Sequence, residues 1–97
     1  MSRAAIEGKL REVGERLRRA REELAILDEQ LVVFHDTEAE TRLQAMVDES
    51  AESRNEHREA QRHAEAMNRA RAHLVAQVAE LERAQDDLLD RLVLEVR

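Results

Sequence analysis

The chain has no cysteine, proline, tryptophan or tyrosine, and Phe34 is its single aromatic residue. Without cysteine it can form no disulfide, so the fold requires no oxidising compartment and offers no thiol chemistry. Its two glycines, Gly8 and Gly14, lie near the N-terminus, so any later turn has to be built from residues such as serine, aspartate or asparagine. Together with 39% charged residues, these absences are typical of long helices and coiled coils.

Long apolar runs are also missing. The first ten residues contain Glu7 and no continuous apolar segment, so the sequence predicts neither a signal peptide nor a membrane anchor. We therefore expect a soluble, cytoplasmic protein. A length of 97 residues allows one small domain and no separate catalytic domain.

Recognisable chemistry is absent as well. The sequence has no glycine-rich phosphate loop and no nucleophile with a base at a meaningful spacing. Successive histidines are six or more positions apart, and Glu59 with His63 has the helical spacing of two metal ligands, which often arises by chance. We predict a protein that is not an enzyme and that binds no metal and no cofactor.

Apolar residues recur in each half of the chain at alternating spacings of three and four. The first series is Ile6, Leu10, Val13, Leu17, Ala20, Leu24, Leu27, Leu31 and Phe34. The second series is Met67, Arg71, Leu74, Val78, Leu81, Gln85, Leu88 and Leu92. Such heptads indicate helices that pack side by side along a seam, whereas a disordered chain, the other reading of this composition, does not predict them.

Polar turn residues occur at two places, 35–37 and 48–53. Because paired positions in an antiparallel hairpin have a nearly constant sum, the two series can choose between these turns. A turn near Ser50 makes six of eight seam layers apolar on both sides, whereas a turn at Asp36 leaves residues 74–96 without a partner. The sequence thus predicts an all-α fold: a long antiparallel two-helix coiled-coil hairpin.

The predicted boundaries follow from that pairing. We expect one hairpin domain over residues 1–97, with a first arm at about 3–47, a turn at 48–53 and a second arm at about 54–96. Leu43, Met46 and Val47 fall out of the phase of the first series. We therefore expect a kink or a phase slip at residues 35–42.

A second set of apolar residues lies outside the predicted seam. It comprises Ile26, Val33, Val75, Leu89 and Val96. Because two helices alone bury little surface, an additional stripe of this kind indicates further packing, and we predict a homo-oligomer formed through it. A foreign protein partner on the stripe is the alternative.

Acidic residues concentrate around the predicted turn. Residues 35–56 carry seven acidic and two basic side chains, although the whole chain has a net charge of only −6. We predict a partner-binding tip made of Asp48, Glu49, Glu52, Leu43, Met46 and Val47. The alternative is that the acidic residues merely solvate a loosely packed tip and favour a helix start.

Basic residues give no comparable signal. Arg54, Arg58 and Arg62 form one stripe, but acidic neighbours interrupt it and no aromatic residue can stack on bases, so a nucleic-acid partner is not expected. Pairing of these arginines within the hairpin is the simpler interpretation.

The stretch from Asn55 to Met67 resembles a segment of small uncharacterised helical-hairpin proteins from actinobacteria. This resemblance implies no activity. In shape alone, the chain also resembles the transcript-cleavage factors that insert a helical hairpin with an acidic tip into the secondary channel of RNA polymerase.

Three functions remain open from the sequence. The leading one is a non-catalytic coiled-coil interaction module that self-associates through its lateral stripe and presents its acidic tip to a protein partner. The second is a transcription regulator that docks this tip on RNA polymerase. The third is a purely structural scaffold rod.

Overall fold

Two α-helices make up the fold. A computed structural model of the chain describes the backbone of residues 1–96 and the side chains of residues 1–95. Helix α1 spans Arg3–Asp48 and helix α2 spans Ala51–Val96, with no strand in the part of the chain described. The predicted all-α antiparallel hairpin with its turn near Ser50 is confirmed.

Serine residues cap both helices at their N-termini. The Ser2 hydroxyl accepts a hydrogen bond from the Ala5 backbone N–H at 3.2 Å, and the Ser50 hydroxyl accepts one from the Ser53 N–H at 3.1 Å. Each bond satisfies a donor that has no partner within the helix. Since Ser50 is the cap, α2 begins three residues before the expected start at residue 54.

Helix α1 continues without interruption through residues 35–42. The shielded positions here are Phe34, Glu38, Thr41 and Ala45, which keep the alternating spacing of four and three. The phase slip that we expected in this segment is therefore not found. Leu43, Met46 and Val47 leave the seam because small and polar residues take their place in it, and no second turn forms at residues 35–38.

The chain divides into two compact units. The first, here the terminal unit, contains residues 1–24 and the part of α2 from His73 onward. Its core is formed by Leu17, Ala20 and Leu81, against which the half-buried Val13 and Val78 pack. The apolar pairing predicted for this part of the seam is therefore present.

The second, here the turn unit, contains residues 25–72. Its buried positions on the seam are Leu27, Leu31, Ala60 and Ala64. Beside them, the Arg71 side chain pairs with Asp28 at 2.6 Å. The ring of Phe34 meets the imidazole of His63 edge to face, with 6.2 Å between the ring centroids.

Candidate protein-interaction surface

The turn is built by the backbone of Glu49 and the side chain of Asp48. Glu49 has a φ of 54°, and its N–H donates to the Ala45 carbonyl at 3.2 Å, which together form a left-handed cap at the end of α1. Glycine is the usual residue in this conformation because it has no Cβ to clash. The Arg54 guanidinium donates to the Glu49 carbonyl at 2.8 Å and thus ties the turn to α2.

The Asp48 carboxylate joins the two helices. Its Oδ2 accepts hydrogen bonds from the hydroxyls of Ser53 at 2.5 Å and Ser50 at 3.0 Å. These bonds, that from Ser53 foremost, lower the pKa of Asp48 below its ordinary 3.8 because they stabilise the carboxylate. All three acidic residues of the predicted tip are exposed, but only the Asp48 carboxylate bonds to the serines of the turn in the described residues.

A polar layer lies in the seam of the turn unit. The Thr41 hydroxyl is 3.4 Å from Nδ1 of His57, and a Glu38 carboxylate oxygen is 4.0 Å from Nε2 of the same ring. Glu38 also pairs with Arg42 at 3.1 Å. The Thr41 hydroxyl donates to the backbone carbonyls of Thr37 and Glu38. Polar groups thus take the place of apolar side chains in this part of the seam.

The apolar side chains that the seam leaves out share one face of α1. These positions lie between residues 25 and 47 on the side of the helix away from the seam. We call this surface the α1 outer face. The apolar members are Ala25, Ile26, Val32, Val33, Ala39, Leu43, Met46 and Val47. The acidic members are Glu29, Asp36 and Glu40, and all but the half-buried Ala39 are exposed.

This face unites two sets of residues that the sequence suggested separately. Leu43, Met46 and Val47 were assigned to the tip, and Ile26 and Val33 to the lateral stripe. Their exposure is high, reaching 64% at Leu43 and 82% at Val47. All five lie on the same side of one helix within the turn unit.

Sequence reasoning missed Val32, which is 61% exposed on the α1 outer face. Val32 adjoins a row that the sequence does contain, because positions 26, 29, 33, 36, 40, 43 and 47 follow one another at alternating spacings of three and four. This row has apolar residues at 26, 33, 43 and 47 and carboxylates at 29, 36 and 40. A search for apolar residues alone misses such a row, because carboxylates occupy some of its heptad positions.

The remaining members of the predicted stripe belong to the terminal unit. Val75 and Leu89 are exposed on α2 there. Val93 and Leu94, which the sequence analysis did not single out, are exposed on the same helix. The side chain of Val96 lies outside the described residues.

Models of protein families, curated proteins and solved structures contain no match to this chain. The resemblance to actinobacterial helical hairpins therefore stays a prediction. Function has to be argued from the geometry of the surfaces.

Two further properties bear on the kind of site. Within residues 1–96, no group of three or more histidine or acidic side chains is arranged to hold a metal ion. The helices of this same part of the chain include no stretch long and apolar enough to cross a membrane. The exposed apolar side chains make the α1 outer face the candidate that the geometry favours.

Proposed function

We propose that the protein is a non-catalytic helical-hairpin module that binds another protein through the α1 outer face. The observation that carries this proposal is the position of the apolar residues. Leu27 and Leu31 are buried in the seam, yet Val32 and Val33, on the other side of the same helix, are exposed. A second apolar row on a helix that already has a buried seam is typical of a helix with two partners.

The size of the face supports the proposal. Residues 26–47 form 22 positions of continuous helix, about 33 Å at the helical rise per residue. With a width of about 10 Å, the face covers on the order of 300 Å². Three carboxylates lie within this area, and the exposed apolar side chains around them form the kind of surface patch that is often functional.

The tip offers a partner fewer acidic groups than the sequence predicted. The exposed Asp48 carboxylate bonds to Ser50 and Ser53 in the turn, which leaves Glu49 and Glu52 as the acidic groups of the tip that can meet a partner. A transcription regulator that docks this tip on RNA polymerase is the second proposal. Recovery of polymerase subunits with the wild type, and their loss with Glu49→Ala/Glu52→Ala, would favour it.

Self-association remains a separate proposal for the apolar residues of the terminal unit, such as Val75 and Leu89. Sedimentation equilibrium of the wild type and of Val75→Gln/Leu89→Gln tests it. A mass that falls to the monomer value in the variant is the expected result. An unchanged mass in both proteins would contradict it.

The main proposal is tested by photo-cross-linking in the cells that express the protein. A photoreactive amino acid is placed at Leu43 on the α1 outer face or, as the matched control, at the comparably exposed Val93 of the terminal unit. We expect one protein to cross-link from position 43 and not from 93. Loss of its binding in the purified Leu43→Gln/Val47→Gln variant confirms the face. Cross-links from 93 alone would contradict the proposal.

A further inference from the structure

We infer that the segment that occupies the α1 outer face is a basic amphipathic helix of the partner protein. This inference rests on the proposed function and adds to it the chemistry of the partner. Three observations support a basic helix: the charges on the face, the ion pairs of nearby arginines, and the unpaired negative charge that a second copy of the chain would bury there.

The charges on the face have one sign. Glu29, Asp36 and Glu40 are its charged members, and none of the three forms an ion pair with a residue in the described part of the chain. Their carboxylates stand among exposed apolar side chains. A partner that covers those side chains also removes water from the carboxylates, and this loss is offset only if the partner supplies positive charge.

Two arginines of the turn unit pair with carboxylates beside the seam. Arg42 pairs with Glu38 at 3.1 Å, and Arg71 pairs with Asp28 at 2.6 Å. Glu38 and Asp28 thus obtain partners from the chain itself. The carboxylates of the outer face do not, although they lie on the same helix, so this asymmetry points to a basic group from outside.

The spacing on the face fits a helix. The row from Ile26 to Val47 has intervals of three and four and contains four apolar residues and three carboxylates, of which Asp36 and Glu40 are neighbours in the row. An amphipathic helix packs its own apolar stripe into such a row and places residues on either side of the stripe. Lysine or arginine at these flanking positions reaches Asp36 and Glu40, which are one helical turn apart.

A second copy of this chain fits the face poorly. If two copies of the face paired antiparallel about its midpoint, Asp36 would oppose its own counterpart and Glu29 would oppose Leu43. If they paired parallel, every carboxylate would oppose a carboxylate. Both arrangements bury unpaired negative charge. The same carboxylates repel nucleic acids and anionic lipid surfaces.

Synthetic helices provide the probe. One peptide has three heptads of leucine and lysine, with leucine at its own a and d positions, and the other has glutamate in place of lysine. Isothermal titration calorimetry measures the affinity of each peptide for the protein. The paired variants are Leu43→Gln/Val47→Gln on the face and Val93→Gln/Leu94→Gln in the terminal unit, all at exposed apolar positions. Asp36→Asn/Glu40→Gln is matched by Asp86→Asn/Asp90→Asn, which removes the same charge from exposed positions of α2.

We expect the lysine peptide to bind the wild type and the glutamate peptide not to bind. Loss of Leu43 and Val47 should weaken lysine-peptide binding at least about tenfold. Neutralising Asp36 and Glu40 should weaken it about fivefold and reduce its dependence on salt. The two control variants should bind as the wild type does, and circular dichroism should show equal helix content in all variants.

Four results would overturn the inference: no binding of the lysine peptide, equal binding of the glutamate peptide, equal losses in the control variants, or a wild-type dimer that Leu43→Gln/Val47→Gln dissociates. None of the peptide results bears on whether photo-cross-links form at position 43. A partner that cross-links there through a neutral or acidic segment would leave the proposed function standing and refute its basic helix.

Discussion

The two faces of α1 should respond very differently to the same truncation. Leu17→Ala removes a side chain that is 2% exposed, whereas Leu43→Ala removes one that is 64% exposed. Substitutions of a buried leucine by alanine cost about 2 to 5 kcal/mol, through lost burial and the cavity left behind. The half-buried Val13 and Val78 can move into part of the gap. We therefore expect about 2 to 3 kcal/mol at position 17 and a change within about 0.5 kcal/mol at position 43.

Urea unfolding followed by helical circular dichroism measures both changes. The dependence of the free energy on urea should stay the same, because both variants expose similar surface when they unfold. Leu17→Met, which conserves volume, should cost less than about 1.5 kcal/mol and provides a measurable variant even where the alanine variant does not fold. Equal costs for the alanine variants at positions 17 and 43 would refute the division of α1 into a buried and an exposed face.

Further predictions concern the turn and the helix caps, all measured by the same unfolding experiment. Glu49→Gly should raise the free energy of unfolding by about 1 kcal/mol because it relieves the left-handed backbone, while the control Glu52→Gly inside α2 should lower it by about 1 kcal/mol. The lowered pKa of Asp48 means that its contribution to stability is complete above its ordinary value of 3.8 and is lost as the pH falls through the lowered value. Asp48→Asn should therefore flatten the loss of stability in acid, and an unchanged acid profile would contradict the role of this carboxylate. Ser50→Ala should cost about 1 kcal/mol and Ser2→Ala, at a fraying helix end, only a few tenths; equal effects of the two serines would contradict the cap at the turn.

The hairpin and its turn were predictable because pairing is a property of both halves of the chain. Each layer of the seam tests the same constant sum, so Ala20 with Leu81 and the other layers reinforce one another. The first residue of α2 was harder to predict from the sequence, since Ser50 and Ser53 are both good capping residues. The bond from the Ser53 N–H to the Ser50 hydroxyl distinguishes them, because it makes Ser50 the cap and places Ser53 inside the helix.

The expected phase slip at residues 35–42 was wrong for an instructive reason. The out-of-phase Leu43, Met46 and Val47 indicated a stripe that moves to another side of the hairpin. The shielded positions instead keep their phase through Glu38 and Thr41, where Arg42 pairs with the Glu38 carboxylate and backbone carbonyls accept the Thr41 hydroxyl. Apolar character therefore does not show which side of a helix packs in a seam that contains polar layers.

Amide-resolved NMR of the purified protein with its cross-linked partner tests the central claim most directly. The α1 outer face belongs to one helix, so binding there should shift the backbone resonances of residues 25–47 and leave those of the terminal unit unchanged. Shifts confined to the turn at residues 48–53, or to the exposed part of α2 around Leu89 and Val93, would contradict the claim that this face is the binding surface.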